Sequence, residues 1–377
     1  MKTILIFRHQ LFKVSEPFIA QQAQPLQSFK PLYLGRNRLG KAPEGADSLA
    51  LEDLPDQRSF ARRVWQVLTR DPRPYERLLE GKSPALIHAH FGVEGVYALP
   101  LARRLRIPLV TTFHGFDATT TTPALLRSGS PAWINYVRFR QQLAKEGDLF
   151  LCVSEYIRQR VIELGFPAER THVHYIGINT QGLQPRDPSL EKPIVLHVAR
   201  LVEKKGTADL IQAFALATAA ISDVELLIVG DGPLRATLEE QARSLGMGTR
   251  VRFTGSLPHP QVMALMSQAA MLVLPSVTAS SGDAEGLGMV LLEAAAQGIP
   301  LIGTLHGGIP EAIDHGQSGY LAPERSVGEL ALHISTLLGD RALRLKLGQR
   351  ARQLIERRFD MQRQTAQLES HYRSVLK

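Results

Sequence analysis

The sequence contains one cysteine, Cys152, so the chain cannot form an internal disulfide. A single thiol among 377 residues predicts a reducing compartment and excludes a small disulfide-stapled scaffold. No run approaches the roughly 18 apolar residues that a membrane span requires. The first three residues lead directly into a strand-like segment, without the features of a secretory signal. We therefore expect a cytoplasmic protein.

Several cofactor and metal motifs are also missing. The sequence contains neither the Gly-x-Gly-x-x-Gly fingerprint nor the Walker lysine loop, so a dehydrogenase or an ordinary P-loop enzyme is not supported. It has no Asp-x-Asp pair and no zinc-type ligand cluster, since His88 and His90 are two residues apart and resemble strand-end residues. We therefore expect no metal and no bound cofactor.

The chain is long enough and apolar enough for two folded domains. Hydrophobic residues make up 44% and charged residues 21%, which excludes a disordered chain. Short apolar runs alternate with segments of helical period, which predicts parallel sheets covered by helices on both faces. The predicted strands are 3–7, 31–34, 85–88, 109–112, 149–153 and 172–175, then 194–198, 225–229, 251–254, 271–274 and 301–303. Predicted helices include 58–79 and 288–297.

The alternating pattern occurs twice, on either side of a linker-like stretch at 179–193 that is rich in proline and glycine. We expect two doubly wound α/β domains, over 1–185 and 186–355. Residues 356–377 should form a helix that packs back toward the first domain. Ligands bind such sheets outside the carboxyl ends of the strands. Two domains that face each other with those ends would form an interdomain cleft.

Positive charge is concentrated in the first half. The formal net charge is +8, and residues 1–190 hold 25 basic and 17 acidic side chains, so 25 − 17 accounts for all of it. The second half holds 19 of each. A basic half is compatible with nucleic acid, an anionic membrane or a phosphorylated substrate, and composition alone does not choose among them.

The segment from Glu285 to Glu293, EGLGMVLLE, is the strongest candidate site. It follows a predicted strand and opens a helix, whose first N–H groups are unpaired and favour an anion. Gly286 and Gly288 would let phosphates approach the backbone. Counting 100° per residue places Glu293 on a face similar to that of Glu285, where a carboxylate can accept hydrogen bonds from a ribose diol. A capping acid and a solvated helix acid remain the alternative.

Three further loops follow predicted strands. Arg200, Lys204 and Lys205 come after strand 194–198, where cations suit a diphosphate, although an isolated charge run is usually solvated. The turn that contains Gly232 could contact a ligand or serve only as a strand-to-helix turn. The segment 253–257, with Ser256, ends a strand where backbone groups could bind a base edge.

A fourth loop, His114 to Asp117, follows strand 109–112 in the first domain. His114 could donate a hydrogen bond to a sugar hydroxyl, and Asp117 could orient the histidine or a hydroxyl. A lone histidine is more often structural, but the place at a strand's carboxyl end favours function.

Together these motifs resemble glycosyltransferase family 4, whose members transfer sugars from nucleotide sugars with retention of configuration. The similarity spans almost the whole chain and is strongest over 194–322. The motifs that carry it there are Arg200 with Lys205, 230–233, 253–257, 275–276, Glu285 with Glu293, and 303–311. The segments 15–19, 88–91 and 114–117 resemble the exopolysaccharide and colanic-acid branch.

The resemblance implies the GT-B architecture of two facing Rossmann-like domains and a role for each matching residue. Arg200 and Lys205 would neutralise the donor diphosphate, and His114 and Glu285 would contact the donor sugar. Glu293 would hold the ribose. The remaining donor contacts that we assign are Gly232, Ser256, Gly286, Leu287, Gly288, Met289 and Asp117. Many members carry a Gly-Gly loop after the first strand, whereas this chain has Arg8, His9 and Gln10 there, so diphosphate contacts from that loop are not expected.

We therefore expect a metal-independent retaining hexosyltransferase. It would use a UDP- or GDP-sugar and a lipid-linked or saccharide acceptor, and the leaving diphosphate would help to deprotonate the acceptor. Arginines around Trp65 and Leu68, and a second group at 103, 104 and 106, favour a membrane-surface helix on an anionic leaflet. Ordinary solvated helix faces are the simpler explanation.

Another GT-B enzyme, such as a sugar-nucleotide 2-epimerase, is the second hypothesis. Nucleic-acid binding rests on the isoelectric point alone and lacks basic–aromatic interleaving, so no nucleic-acid partner is expected.

Overall fold

The computed structural model describes residues 1–13, 15–54 and 59–376, with the side chains at 59, 60 and 62 outside the description. The chain forms two compact units, the first from Met1–Gly177 with Met361–Lys377 and the second from Ile178–Asp360. The second unit thus begins before the expected boundary at 185 and continues past 355.

The first unit is built on a seven-stranded parallel sheet. Its strands are β1 Lys2–Phe7, β3 Phe29–Gly35, β5 Asp47–Ala50, β6 Leu86–His90, β7 Leu109–Phe113, β8 Leu149–Cys152 and β9 Thr171–Val173, in the order β5-β3-β1-β6-β7-β8-β9. Two-residue strands β2 Gln10–Leu11 and β4 Asn37–Arg38 pair separately. Every residue of β6, β7 and β8 is buried, because helices cover both faces of the sheet, and this explains the unbroken apolar runs.

Within the described residues, eight α-helices accompany these strands before the end of the first unit's main segment. They are α1 Pro17–Ala23, α2 Ser59–Thr69, α3 Arg73–Leu78, α4 Gly92–Leu105, α5 Phe116–Thr119, α6 Thr122–Arg127, α7 Pro131–Glu146 and α8 Glu155–Glu163. The prediction of one helix over 58–79 is wrong within the described residues. Arg70 has a φ of +60°, which ends α2, and Pro72 and Pro74 lack the backbone N–H that a continuation of α2 would need. The chain therefore starts a new helix, α3, with Pro74 in its first turn. Arg58 lies outside the described residues.

The second unit has a six-stranded parallel sheet. Its strands are β10 Ile194–Val198, β11 Glu225–Val229, β12 Val251–Gly255, β13 Met271–Leu274, β14 Leu301–Thr304 and β15 Gly319–Ala322, in the order β12-β11-β10-β13-β14-β15. Its helices are α9 Thr207–Ala217, α10 Arg235–Ser244, α11 His259–Met266, α12 Met289–Ala296, α13 Ile309–Ala312, α14 Val327–Gly339 and α15 Arg341–Arg358. Fully buried Ile211 and Phe214 of α9 pack in the core with strand residues such as Val195 and Ile228.

The last helix, α16 Met361–Val375, belongs to the first unit. Its Glu369 carboxylate accepts the N–H groups of Gln27 and Ser28 at 2.6 and 2.7 Å. The hydroxyl of Tyr372 lies 2.7 Å from Nδ1 of buried His88. Both contacts fasten the end of the chain to the first sheet.

The predicted fold class of two doubly wound α/β units is confirmed. Each strand order reverses direction once, between β1 and β6 in the first sheet and between β10 and β13 in the second. Loops diverge at such a switch point and leave a crevice at the carboxyl ends of the strands. Among the described residues, no helix is long and apolar enough to cross a membrane.

Candidate functional site

Two loops meet at the switch point of the second unit. Residues 199–206 follow β10, and residues 275–288 follow β13. Gly206 has a φ of +62°, and a Cβ at this position would lie 1.9 Å from the carbonyl oxygen of Pro275. The N–H of Val277 donates to the carbonyl of Lys204 at 2.8 Å. This backbone contact brings the cations of one loop beside the acids of the other.

Lys205 and Glu285 form an ion pair across the switch point. Nζ of Lys205 contacts Oε2 of Glu285, and the two side chains are only 16% and 12% exposed. A second pair joins Lys204 Nζ to Asp283 Oδ1 at 3.0 Å. Burial raises the pKa of Glu285, but the charges of Lys205 and Lys204 outweigh it and lower the pKa to about 2. Glu285 is therefore a carboxylate at neutral pH.

Glu285 lies in a loop and not on a helix. Gly288 precedes α12 with a φ of +81°, and the helix begins at Met289. The prediction that Glu285 and Glu293 share a helical face is therefore wrong, because helical geometry does not hold between 285 and 288. Gly286, Leu287 and Gly288 are buried immediately before the first turn of α12, and Met289 is half-buried.

Glu293 is the acid that α12 carries, and it has a partner from another helix. Its Oε1 lies 3.0 Å from Nε2 of His259 at the start of α11, and its side chain is 23% exposed. The hydrogen bond with Glu293 and its negative charge raise the pKa of His259. Sequence reasoning missed His259, because no spacing links it to Glu293.

The turn with Gly232 packs backbone against backbone on the loop after β10. Gly230 has a φ of +131°, and a Cβ at Gly232 would lie 2.4 Å from the carbonyl oxygen of Leu201. The N–H of Leu201 donates to the carbonyl of Asp231 at 2.9 Å. These contacts support the structural explanation for the glycines. They also hold the loop that carries Arg200.

Arg200 and Ser256 are both exposed, each in a loop at a strand's carboxyl end. Within the described part of the chain, no ion pair of Arg200 is found, so its guanidinium is available to an anion. The second unit thus brings together Lys205 and Glu285 in contact. It places the loops with Arg200, Gly232 and Ser256, and the start of α12, at the same edge of the sheet, where its strands end.

His114 lies at the carboxyl end of β7 in the first unit. Its Nε2 is 3.1 Å from Nδ1 of buried His90, and its ring packs on Phe18 and Phe91 at centroid distances of 5.0 and 4.5 Å. Its Nδ1 is buried and has no hydrogen-bond partner within the described residues. Burial, followed by the nearby His88 and Arg8, lowers the pKa of His114 well below its ordinary value. The neutral ring therefore offers one unused nitrogen to a ligand.

Asp117 fixes the backbone around His114. Its carboxylate is 1% exposed and accepts the N–H groups of Gly92, Gly115 and His114 at 2.7, 3.0 and 3.2 Å. Burial raises its pKa, and these hydrogen bonds oppose the rise. Of the two roles that the sequence suggested for Asp117, its contacts support orienting the histidine, because both oxygens already bind backbone.

The loop after β1 carries a cation, Arg8, whose charge is balanced by nearby carboxylates. Arg8 binds Glu16 at 2.8 Å, contacts the buried carboxylate of Glu94, and stacks 4.5 Å over the ring of Phe91. Two carboxylates therefore already surround Arg8. Among the described residues, no group of three or more His, Cys, Asp or Glu side chains could hold a metal ion.

Comparison with protein-family models divides the chain in the same way. Residues 36–181 match the model described as Glycosyltransferase Family 4, and residues 183–354 match the model described as Glycosyl transferases group 1.

Curated relatives are 30–34% identical to this chain over the aligned residues. A putative colanic acid biosynthesis glycosyltransferase, WcaL of Escherichia coli K12, is 33% identical over 73% of this chain and 66% of its own length. The N-acetyl-alpha-D-glucosaminyl L-malate synthase of Bacillus anthracis is 30% identical over 78% of this chain and 75% of its own length. The amylovoran biosynthesis glycosyltransferase AmsK of Erwinia amylovora is 34% identical over 64% and 58%. The match thus leaves at least a third of the two exopolysaccharide relatives uncovered.

Solved structures share the fold over the whole chain. The sucrose-phosphate synthase of Thermosynechococcus elongatus matches with a TM-score of 0.80, covering 100% of this chain and 99% of its own, at 20% identity. HepE of Anabaena, solved with UDP and glucose, matches with a TM-score of 0.76, covering 99% and 100%, at 22% identity. At identities this low, the structural matches establish only the fold, which is that of GT-B glycosyltransferases.

Replacement of Lys205 by methionine tests the ion pair at the switch point. The variant leaves the Glu285 carboxylate buried without its main counter-charge, so we expect the pKa of Glu285 to rise toward or above its ordinary value of 4.5. Breaking a buried pair costs about 3–5 kcal/mol of unfolding free energy at neutral pH. Carboxyl NMR titration and denaturant unfolding measure the two effects.

In the wild type, the depressed pKa stabilises the fold above pH 4.5, and this contribution is lost as the pH falls toward about 2. The Lys205→Met variant should show less of this acid dependence. Lys346→Met, at an exposed lysine of α15, is the control and should change neither quantity. A Glu285 pKa that stays near 2 in Lys205→Met would contradict the assignment.

Proposed function

The chain belongs to glycosyltransferase family 4, and we propose that it transfers a hexosyl group from a UDP- or GDP-sugar to a lipid-linked or saccharide acceptor in polysaccharide biosynthesis. The predicted family is thereby confirmed. Its relatives include glycosyltransferases of colanic acid and amylovoran biosynthesis. HepE, which has the same fold, was solved with UDP-glucose, which supports a nucleotide-sugar donor.

The observation that carries the proposal is the Lys205–Glu285 pair at the switch point. An ammonium has three N–H donors, so Lys205 can bind Glu285 and a diphosphate oxygen together. We assign charge neutralisation of the diphosphate to Lys205 and the exposed Arg200. Glu285 is assigned to a hydroxyl of the donor sugar, because a permanently ionised carboxylate accepts hydrogen bonds strongly.

The remaining assignments follow from the same geometry. Amides of Gly286 to Met289 at the start of α12 suit the phosphates or the sugar, since unpaired N–H groups and the helix dipole favour an anion. The loops with Gly232 and Ser256 are assigned to the nucleotide. His114 is assigned to a sugar hydroxyl through its unused Nδ1. Asp117 acts by holding the loop of His114.

We propose that transfer retains the anomeric configuration and needs no metal. The bond between the anomeric carbon and the diphosphate oxygen breaks, and the acceptor oxygen bonds to the same face. The acceptor's proton passes to the leaving diphosphate oxygen. The protein contributes orientation and positive charge, not a covalent intermediate.

A donor panel tests this function. We expect UDP- or GDP-sugars, but not other nucleotides, to raise the melting temperature of the protein, since a ligand that binds the native state stabilises it. Transfer to a lipid-linked saccharide should persist in EDTA, and NMR should show the donor's anomeric configuration in the product. An inverted product or EDTA sensitivity would contradict the mechanism. Epimerised donor without transfer would favour a sugar-nucleotide 2-epimerase, and tight binding to DNA or RNA at moderate salt would favour a nucleic-acid partner.

Glu293→Ala tests the ribose assignment. A hydrogen bond to a charged acceptor contributes about 1.5–3 kcal/mol, so the loss of even one ribose contact should weaken nucleotide binding about 10- to 100-fold by calorimetry. Glu240→Ala, at an exposed acid of α10, is the matched control and should bind normally. His259→Ala removes only the partner of Glu293 and should have a smaller effect. Unchanged affinity in Glu293→Ala would refute the role.

We also propose that the first unit binds the cytoplasmic face of an anionic membrane. Val64, Trp65 and Leu68 of α2 are 41%, 54% and 54% exposed, so this helix presents apolar side chains outward. Arg63 accompanies them, and the side chains of the neighbouring Phe60 and Arg62 lie outside the described residues. An outward apolar face with cations beside it suits an anionic lipid surface.

Several arginines of the first unit that the membrane prediction counted already have partners within the protein. Arg70 stacks 3.3 Å from the ring centroid of Phe139, and Arg73 binds Asp71 at 2.7 Å. Arg103 and Arg104 form ion pairs with acids of the same unit. The apolar side chains of α2 therefore carry more of the membrane proposal than the arginine count does.

Vesicle flotation tests this surface. Wild-type protein should float with anionic vesicles and less so as salt rises, because screening weakens the attraction of exposed charges. Trp65→Ser with Leu68→Ser should lose most of this binding, and Leu332→Ser, at a 60% exposed leucine of the second unit, should retain it. Equal flotation of the double variant, or no binding by the wild type at any salt, would contradict the membrane proposal.

A further inference from the structure

The loop after β14 binds both the backbone N–H and the backbone carbonyl of Glu285. Its N–H donates to Nε2 of His306 at 3.0 Å, and its carbonyl accepts the N–H of Gly308 at 3.1 Å. Between them, Gly307 has a φ of +57°, and a Cβ there would lie 2.2 Å from the Glu285 carbonyl oxygen. The two loops therefore touch along the backbone, and the position of Glu285 depends on residues 306–308.

Hydrogen-bond chemistry fixes the protonation state of His306. A backbone N–H can only donate, so Nε2 must be the bare nitrogen of the ring. Nδ1 lies 2.7 Å from Oε1 of Glu324 and 3.5 Å from Oγ1 of Thr278. Burial raises the pKa of Glu324, but hydrogen bonds from the Thr278 N–H and from His306 outweigh it and hold the pKa below its ordinary value. The carboxylate can only accept, so Nδ1 carries the proton and the imidazole is neutral.

Glu324 also holds the other end of the same loop. Its Oε2 accepts the N–H of Thr278 at 2.7 Å, and its Oε1 lies 3.2 Å from the hydroxyl of that residue. Thr278 and Glu285 lie seven residues apart after β13, so the Glu324–His306 couple spans this segment from end to end. The His306 side chain is only 1% exposed, so both of its hydrogen bonds lie in the interior of the second unit.

We propose that His306 is a positioning residue for Glu285, acting as a neutral hydrogen-bond acceptor whose tautomer Glu324 maintains. The proposal rests on the assignment of Glu285 to the donor sugar. Protonation of Nε2 would set one N–H donor against another and displace the Glu285 loop. Within the described residues, the charged groups that face His306 include the carboxylates of Glu324 and Glu285, with Lys204 and Lys205 beyond Glu285.

Two replacements of His306 separate positioning from a general structural role. Glutamine can present Oε1 to the Glu285 N–H and an N–H to Glu324, but it cannot be protonated, whereas leucine does neither. We expect His306→Leu to lower kcat by about 10- to 100-fold, since small misplacements at a reacting centre cost that much, while nucleotide affinity changes little. His306→Gln should recover most of the rate at neutral pH.

Glu324→Gln provides a second variant if His306→Leu fails to fold. It removes one of the two carboxylate oxygens that accept from His306 Nδ1 and from the Thr278 N–H, so the tautomer of His306 is no longer maintained, and kcat should fall while nucleotide affinity changes little. His315→Gln is the matched control. This exposed histidine also accepts a backbone N–H, from Leu321 at 3.1 Å, and its replacement should leave kcat unchanged. Wild-type kcat in both His306→Leu and Glu324→Gln, or no recovery in His306→Gln, would overturn the proposal.

An NMR measurement keeps this inference separate from the proposed function. In ¹⁵N-labelled wild-type protein, His306 should be the neutral Nδ1–H tautomer. The Glu285 amide shift should change in His306→Leu and return in His306→Gln, even if no sugar is transferred. A protonated or Nε2–H ring at neutral pH would refute the positioning role. The expected tautomer and amide shifts without any binding of nucleotide sugars would instead refute the donor-sugar role of Glu285.

Discussion

The ion pair between Lys205 and Glu285 depends on a backbone contact between two loops that never meet in sequence. A pair this buried is favourable only when its geometry is well fixed, because both charges lose their water. The contact of Gly206 with Pro275 and the Val277–Lys204 hydrogen bond supply that geometry. Residues 306–308 then hold the peptide of Glu285 from the opposite side. The arrangement of the second unit's site follows from these close approaches.

Carboxylates that bind backbone N–H groups recur in both units. Asp117 gathers three N–H groups around the His114 loop, and Glu324 accepts the N–H of Thr278 while orienting His306. In each case a buried acid fixes a loop through its backbone and sets how a neighbouring polar side chain is presented. Loops at strand ends have few neighbours, so such acids substitute for the packing that strands receive. Both sites therefore depend on acids that need not touch a substrate.

The ion pairs in the structure change how the distribution of charge along the sequence is interpreted. The second half is neutral in sum, yet Lys204, Lys205 and Arg200 lie on one short loop at a strand end. The first half carries the whole +8, yet several of its arginines are neutralised by acids on neighbouring helices. Net charge is therefore a poor guide to where an anion binds, because cations of both halves are paired with acids, Lys204 and Lys205 among them.

The sequence by itself determined the fold class and most of the parallel strands, although it missed β5 and β15 at the sheet edges. It also determined the loops that carry Arg200, Lys205, Glu285 and His114, and the helix that carries Glu293. Buried strands are continuous apolar runs and strand-end loops are punctuated by glycine and proline, so these features are local and can be predicted. The helix break at Arg70 was missed because a run of helix formers hid the effect of Pro72 and Pro74. Only the tertiary structure decided that Glu285 lies off the helix, that His259 pairs with Glu293, and that Asp117 binds backbone. It also decided that His306 accepts the Glu285 N–H. Each of these contacts joins residues from different elements, and their pairing depends on how the strands are ordered in the sheet.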